Sequence, residues 1–116
     1  MQASQISIII VNWNTCQLLD RCLTAIAETS CQLKTETVVV DNNSTDGSQA
    51  MIESQHPEVH LVCTSENLGF ARANNIGIRE ATGYYILLLN SDTEVRDNTL
   101  DRMYTSMETY STVGIV

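Results

Sequence analysis

Short apolar runs alternate with stretches of helical periodicity along the chain. The apolar, β-branched runs predict strands at 6–11, 37–40, 59–64 and 84–89, of which 59–64 is the weakest. Apolar residues at helical spacing predict helices at 16–29, 48–55, 70–81 and 98–110. This β-α-β-α order favours an α/β fold with a mostly parallel sheet and right-handed crossovers.

Each predicted strand is apolar almost throughout, which is typical of strands buried on both faces. A further apolar run begins at Val113 and has no turn after it. We therefore expect another strand to begin there, and we expect the chain to be the N-terminal part of a longer protein, truncated at its C-terminus.

The composition is that of an ordinary globular domain. The chain has 116 residues, of which 43% are hydrophobic and 17% charged. Its apolar runs are too short to span a bilayer, and no basic segment followed by an apolar stretch suggests a signal peptide. We expect a cytoplasmic protein.

The charge restricts the ligands. The formal net charge is -8, and Lys34 is the only lysine. A nucleic-acid partner is disfavoured because no basic patch could neutralise its backbone. A phosphate-bearing ligand would be repelled unless a divalent cation or helix N-termini met its charge.

The cysteines and histidines do not suggest a zinc site. Cysteines stand at 16, 22, 31 and 63, with no C-x-x-C pair and no histidine at a zinc-like spacing. We expect buried free thiols. His56 and His60 flank Pro57, and we expect both to be exposed in a surface turn.

Short polar side chains follow every predicted strand, at 12–15, 41–47, 65–69 and 90–93. Ligands of parallel sheets collect at these carboxyl ends. Such residues also cap helices and form turns, and Thr15 or Asp46 could do only that. Capping does not explain Asp41 and Asp92, because burying an acid next to a sheet is costly.

Asp92 and its neighbour Asn90 offer hard oxygen ligands to Mg²⁺ or Mn²⁺. Magnesium sites use one or two carboxylates and complete their shell with waters and phosphates. A cation here would also remove the repulsion between the acidic chain and a diphosphate. The alternative is that Asp92 caps the next helix.

Other phosphate or metal motifs fit poorly. No G-x-G-x-x-G follows the first strand, and no Walker A motif is present. The 41–47 loop resembles a calcium loop, but its glycine falls one place late and position twelve is Ile52 instead of glutamate. It also approximates the D-x-D-x-T loop of haloacid dehalogenase-like phosphatases, with Asn43 at the second acid and no lysine downstream.

Four segments together resemble the inverting family 2 glycosyltransferases of GT-A fold, and within them the rhamnosyltransferase-like branch. They are 7–14 (SIIIVNWN), 38–47 (VVVDNNSTDG), 67–77 (NLGFARANNIG) and 88–93 (LLNSDT). They occur in the order of the family and span most of the chain. The resemblance implies a nucleotide-sugar-binding part of a GT-A domain over residues 1–116, without the acceptor-binding half.

The resemblance also implies site residues. Asp41 is expected to hydrogen-bond the nucleobase, and the 67–72 segment is expected to close over the nucleotide. The expected nucleotide-binding residues are Val11, Asn12, Asp41, Asn43, Asn67, Gly69, Arg72, Asn90 and Ser91. The 90–92 segment stands at the D-x-D position, with Asn90 in place of the first acid. Asp92 is the expected ligand of Mg²⁺ or Mn²⁺.

The implied reaction transfers a sugar from a UDP- or dTDP-sugar to a saccharide or lipid-linked acceptor, with inversion, in bacterial cell-surface polysaccharide synthesis. The cation would stabilise the leaving diphosphate, and a general base would take the acceptor proton. That base is expected beyond this chain, so we expect no catalytic residue here and no transfer by the chain alone. Regions beyond the chain are expected to bring the protein to the inner face of the plasma membrane.

The sequence leaves one other function open and disfavours another. A non-catalytic nucleotide-binding or regulatory domain of the same fold remains open, since Asn90 replaces an acid. A sugar nucleotidyltransferase is disfavoured, because no glycine-rich loop with basic residues follows the first strand.

Overall fold

The computed structural model describes residues 5–29 and 33–109 and confirms the predicted order of elements. The strands are β1 (Ile6–Asn12), β2 (Thr35–Asp41), β3 (His60–Cys63) and β4 (Tyr85–Asn90). The helices are α1 (Cys16–Glu28), α2 (Ser48–Gln55), α3 (Phe70–Glu80) and α4 (Thr99–Thr109). The strand expected at Val113 and the thiol of Cys31 lie outside the described residues.

The four strands form one parallel sheet in the order β3-β2-β1-β4. The expectation of an α/β fold with a parallel sheet is confirmed. The chain adds β2 and β3 on one side of β1 and then crosses to place β4 on the other. The sheet therefore has a topological switch point between β1 and β4, where ligands of open α/β sheets bind.

Helices cover both faces of the sheet. Side chains of α1, α2 and α4 join one face in a cluster that includes Ile8, Ile10, Leu19, Ile52 and Leu100. On the other face, α3 packs over Ile9, Val38 and Val40 through Ala73 and Gly77. A Cβ at Gly77 would collide with the side chain of Ile9, so glycine permits the close approach of α3. Within residues 5–29 and 33–109, no helix has the length and apolarity needed to cross a membrane.

Burial differs between the central and the outer strands. All but one of the β1 residues are buried, and β2 is buried over its last four residues. In β4, by contrast, alternate residues are exposed, including Ile86 at 44% and Leu88 at 50%. The prediction of burial on both faces is therefore wrong for β4, and it is also wrong for β3, in which no residue is buried. Among the described residues, α3 packs mainly on β1 and β2 and does not cover this face of β4.

A hydrogen-bonded cluster joins the amino-terminal ends of the strands. The buried Ser7 Oγ donates to Glu36 Oε1 (2.5 Å) and accepts from the Gly83 N–H (2.7 Å). Thr82 donates to Glu36 through its N–H and its hydroxyl. Burial raises the pKa of Glu36, but these hydrogen bonds outweigh it and hold the pKa below its ordinary value. The cluster ties the residues that precede β4 to β1 and β2.

Two side-chain predictions need correction. His56 is buried, with Nε2 2.7 Å from Asp20 Oδ1, so it joins the end of α2 to α1 and is not an exposed turn residue. His60 is exposed as expected. Among the thiols, Cys22 is buried, but Cys63 is exposed because it ends the outer strand β3.

Candidate functional site

The parallel sheet brings three polar loops to one edge. In the sheet register Asn12 is paired with Asp41, and Val11 with Asn90. The loops that follow β1, β2 and β4 therefore begin side by side. The gathering of polar residues that the strand ends predicted is present, and it includes the switch point between β1 and β4.

Asp41 lies at the centre of this edge and is completely buried. Its Oδ1 accepts from Asn12 Nδ2 (2.8 Å) and Ser44 Oγ (2.7 Å). Its Oδ2 accepts from the Ser44 N–H (2.9 Å) and Gln49 Nε2 (2.8 Å). A carboxylate has about four acceptor positions. All of them are occupied by protein donors, so Asp41 holds the loop that follows β2 onto β1 and α2.

These bonds also set the charge state of Asp41 and limit its contact with a ligand. Burial raises its pKa, but hydrogen bonds from Gln49, Ser44 and Asn12 outweigh burial and hold the pKa below its ordinary value. A nucleobase can bond to this carboxylate if one donor leaves. Gln49 is the donor on a long side chain of α2. The expected contact between Asp41 and a nucleobase stays a prediction with this condition.

The Asn12 side chain forms hydrogen bonds with both the loop after β1 and the loop after β2. Its side chain is completely buried, with Nδ2 also reaching Ser44 Oγ (3.3 Å) and Oδ1 accepting from Thr15 Oγ1 (2.6 Å). Its neighbour Val11 is half-buried and packs against the α3 cluster. Their expected contacts with a nucleobase stay predictions, and the contacts seen for Asn12 are with other protein side chains.

Helix capping at this edge is done by Asp46. Its Oδ2 accepts the Cys16 N–H at the start of α1 (2.9 Å), and its Oδ1 accepts the Ser48 N–H at the start of α2 (3.1 Å). Burial raises the pKa of Asp46, but the bonds from Ser48 and Cys16 outweigh it and lower the pKa. Thr15 occupies the N-cap of α1 without a side-chain cap bond. The capping interpretation is confirmed for Asp46 and wrong for Thr15.

The turn after β4 carries the expected metal ligand. Asn90 and Asp92 are exposed, and the Thr93 N–H closes the turn on the Asn90 carbonyl (3.1 Å). α4 begins at Thr99, so the alternative that Asp92 caps this helix is wrong. Within the described part of the chain, no group of three or more His, Cys, Asp or Glu side chains is placed to hold a metal.

A buried thiol lies next to this turn, and its pKa depends on the charges of the turn. Cys22 Sγ lies beneath it, 3.9 Å from the Asn90 carbonyl oxygen. Burial, followed by the charges of Asp92 and Glu94, raises the pKa of Cys22 to about 11. The turn is therefore a region of negative potential that would attract a cation.

The segment before α3 is held by Asn42, a residue to which the sequence patterns assigned no separate role. The buried Asn42 donates from Nδ2 to the Gly69 carbonyl (3.1 Å) and accepts the Leu68 N–H at Oδ1 (3.1 Å). Asn67 Oδ1 accepts the Gly69 N–H (2.9 Å), and Gly69 adopts a φ of 83°. Arg72 is exposed in the first turn of α3. Asn67, Gly69 and Arg72 thus sit on a segment fixed to the end of β2.

Two exposed residues complete the edge. Trp13 follows β1 and is 54% exposed. Asn43 follows β2, is exposed and has a φ of 67°, a conformation that asparagine tolerates better than most residues. The sequence interpretation gave Trp13 no role of its own. Its signal was an aromatic residue in a polar loop directly after a buried strand, where a ring that does not pack in the core can stack on a ligand.

The parallel sheet with its alternating helices matches the GT-A fold of solved glycosyltransferase structures. TarS 1-349 of S. aureus, in complex with UDP, aligns with a TM-score of 0.84 and 22% identity over 92% of this chain and 33% of that chain. The mannosyltransferase PcManGT from Pyrobaculum calidifontis, in complex with GDP-Man and Mn²⁺, aligns with a TM-score of 0.73 and 28% identity over 90% of this chain and 32% of that chain.

The chain belongs to glycosyl transferase family 2, whose model matches residues 7–116. The glycosyltransferase GlyG of Streptococcus pneumoniae is 30% identical over 106 residues, which cover 89% of this chain and 35% of GlyG. The succinoglycan biosynthesis protein ExoO of Rhizobium meliloti is 32% identical over 100 residues, which cover 84% of this chain and 28% of ExoO. The chain thus spans about a third of the length of these relatives. Its resemblance to family 2 is confirmed.

Proposed function

We propose that residues 1–116 are the nucleotide-sugar-binding part of an inverting glycosyltransferase of the rhamnosyltransferase-like branch. The whole protein transfers a sugar from a UDP- or dTDP-sugar to a saccharide or lipid-linked acceptor in cell-surface polysaccharide synthesis. The observation that carries the proposal is the convergence of three polar loops at the switch point, with the exposed Asp92 among them. The UDP and GDP-Man complexes of similar structures support a nucleotide-sugar donor.

Asp92 holds a divalent cation, Mg²⁺ or Mn²⁺, in this proposal. The donor set fits such an ion, because one exposed carboxylate and the Asn90 side chain leave positions for waters and for the phosphates of the donor. The net charge of -8 disfavours a diphosphate near this turn, and a bound cation would offset that repulsion. The bound ion would stabilise the leaving diphosphate, and Mn²⁺ in the PcManGT complex supports this use.

The nucleoside lies over the loops that follow β1 and β2. Trp13 offers an exposed ring for stacking on the base, and such stacking is worth about 1–3 kcal/mol per base. Asp41 bonds the base when Gln49 moves from Oδ2, and otherwise it acts by holding the loop. The half-buried Val11 and the exposed Asn43 belong to the same two strand ends and would lie beside the nucleoside.

The segment 67–72 contributes from the β3 side of this edge. The N-terminus of α3 carries no side-chain cap, so its free N–H groups and the exposed Arg72 can meet an anion. Asn67 accepts a hydrogen bond from the Gly69 N–H and so fixes the backbone directly before that helix end. Arg72 is one of six basic residues in the chain, so its place on this segment favours phosphate binding there.

The general base lies outside this chain, and the 116-residue chain alone transfers no sugar. The whole protein works in the cytoplasm, at the inner face of the plasma membrane, where a lipid-linked acceptor is available. A non-catalytic nucleotide-binding domain is the second candidate, and the observation in its favour is Asn90 in place of an acid. Sugar transfer by the full-length protein would reject it.

The test is calorimetric titration of UDP and dTDP, each with and without Mn²⁺, against the wild type and Asp92→Asn. We expect Mn²⁺ to tighten nucleotide binding to the wild type, and we expect this gain to be lost in Asp92→Asn. Glu66→Gln is the matched control, because Glu66 is also an exposed acid in a loop that follows a strand of the same sheet. Equal metal dependence in wild type and Asp92→Asn would reject the assignment of the metal ligand.

A further inference from the structure

Two hydroxyl groups meet across the switch point. Thr15 Oγ1, in the loop after β1, lies 3.2 Å from Ser91 Oγ, in the turn after β4. The residues are 76 positions apart in the chain, so the contact exists because β1 and β4 are neighbours in the sheet. Ser91 stands between Asn90 and Asp92, and a bond to it acts on the turn that carries the proposed metal ligand.

The hydroxyl of Thr15 does not cap helix α1, although Thr15 occupies the N-cap position. A threonine at an N-cap normally accepts an N–H of the first helical turn. Here Thr15 makes no side-chain cap bond, and the Cys16 N–H goes to Asp46 instead. Thr15 donates its single hydroxyl proton to Asn12 Oδ1 (2.6 Å). In the pair with Ser91 the donor is therefore Ser91 Oγ, and Thr15 Oγ1 accepts.

These bonds form a continuous chain across the edge of the sheet. Asp41 accepts from Asn12, Asn12 accepts from Thr15, and Thr15 accepts from Ser91. The chain connects the ends of β2, β1 and β4 in that order. Asn12 and Asp41 are completely buried, so this end of the hydrogen-bond series is rigidly held, while Ser91 at the other end is only partly buried. Thr15 is the link between the rigid end and the metal turn.

We propose that Thr15 is a positioning residue, which holds the Asn90–Asp92 turn in register with the nucleotide-binding loop so that cation and nucleotide bind cooperatively. The inference rests on the proposed function, since it gives Thr15 a role in the same cation and nucleotide site. Without the bond from Ser91, the exposed turn would sample other orientations. Ordering the turn would then cost free energy on binding, and Asp92 would hold a cation less tightly.

The test compares Thr15→Val, Ser91→Ala, the double variant and the conservative Thr15→Ser. Trp13 is the only tryptophan and lies in the loop after β1, so its fluorescence can follow UDP and dTDP binding. The readout is the Mn²⁺ enhancement, defined as the Kd without Mn²⁺ divided by the Kd with it. We expect each single variant to lower the enhancement about three- to tenfold, the range of one hydrogen bond. Thr15→Ser keeps the hydroxyl and should therefore keep the wild-type Mn²⁺ enhancement.

The double variant separates positioning from general damage. If Thr15 and Ser91 act through their shared bond, Ser91→Ala should have little further effect on the enhancement in the Thr15→Val background. A purely structural loss would change both Kd values alike and leave their ratio unchanged, and the unfolding midpoint of each variant monitors that loss. Additive effects, or an enhancement within about twofold of the wild type in both single variants, would overturn the inference.

A ligand-free measurement keeps the inference testable if nucleotide binding fails. No binding of UDP or dTDP by the wild type would reject the proposed function, not the bond itself. Amide exchange of Thr93, whose N–H closes the turn on Asn90, should then be faster in Thr15→Val and Ser91→Ala than in the wild type. Unchanged exchange in both variants would overturn the positioning role. Exchange of the β1 amides serves as the internal control.

Discussion

Replacement of Asp41 by asparagine should destabilise the fold strongly. In Asp41→Asn one carboxylate oxygen becomes an NH₂ group that faces two donors, either Asn12 and Ser44 Oγ or the Ser44 N–H and Gln49. Two accepted bonds are lost, each worth about 1.5–3 kcal/mol when the acceptor is charged. Rotation of Gln49 away from the site recovers part of this, so we expect a loss of about 3 kcal/mol in the free energy of unfolding.

The assay is urea unfolding followed by circular dichroism, at pH 7 and at lower pH. A loss of about 3 kcal/mol corresponds to a thermal midpoint lower by roughly 10–15 °C for a domain of this size. Asp92→Asn is the matched control, an exposed aspartate at the same edge, and should change stability by less than about 0.5 kcal/mol. In nucleotide titrations, Asp92→Asn is the variant expected to lose the gain in affinity from Mn²⁺ without losing stability.

The pH dependence follows from the lowered pKa of Asp41. A group whose pKa is depressed by folding stabilises the protein above its unfolded pKa, about 3.9 for aspartate, and loses this contribution as the pH falls through the folded value. The difference between wild type and Asp41→Asn should therefore be full at pH 7 and shrink below about pH 4. A difference under about 1 kcal/mol at pH 7, or one that does not shrink in acid, would refute this account of Asp41.

Three further predictions concern residues outside the proposed site. Glu36→Gln should lower the free energy of unfolding by about 1–2 kcal/mol at pH 7 and by less below about pH 4.3, because the pKa of Glu36 is lowered in the fold; urea unfolding at both pH values measures this. Gly83→Ala should cost about 1–3 kcal/mol, since its Cβ would lie 2.7 Å from the backbone nitrogen of Ser7; thermal unfolding measures it. Cys22 is buried and its pKa is raised to about 11, so it should be alkylated more slowly at pH 8 than Cys63, which is exposed although burial raises its pKa too; mass spectrometry after iodoacetamide distinguishes them.

Each of these predictions has an outcome that contradicts it. A Glu36→Gln effect that is the same at pH 7 and pH 3.5 would mean that its charge does not stabilise the fold. An unchanged thermal unfolding midpoint in Gly83→Ala would mean that the loop before β4 can shift enough to accommodate the added methyl group. Equal labelling rates of Cys22 and Cys63 in the native protein would mean that α1 opens readily beneath the turn after β4.

The amino-acid pattern was sufficient for the order and type of the elements. Each apolar run is followed by a polar turn and then by residues at helical spacing, and these local signals depend on neighbours in the chain. The boundaries of β2 were less clear, since Thr35 and Glu36 are polar yet pair with Ile6 and Ser7 in the sheet. Burial of β4 was mispredicted because the same apolar run suits a covered or an uncovered face.

The sequence by itself also determined that Asp41 ends one strand of a parallel sheet, that Asp92 closely follows another, and that both therefore lie at one edge of it. Only the tertiary structure decided what each acid does there. Asp41 is enclosed by donors from β1, its own loop and α2, whereas Asp92 stays exposed. The contact between Thr15 and Ser91 was equally invisible in the sequence. Hydrogen-bond partners depend on distances of about 3 Å between segments far apart in the chain, and only the packing of the sheet and helices sets those distances.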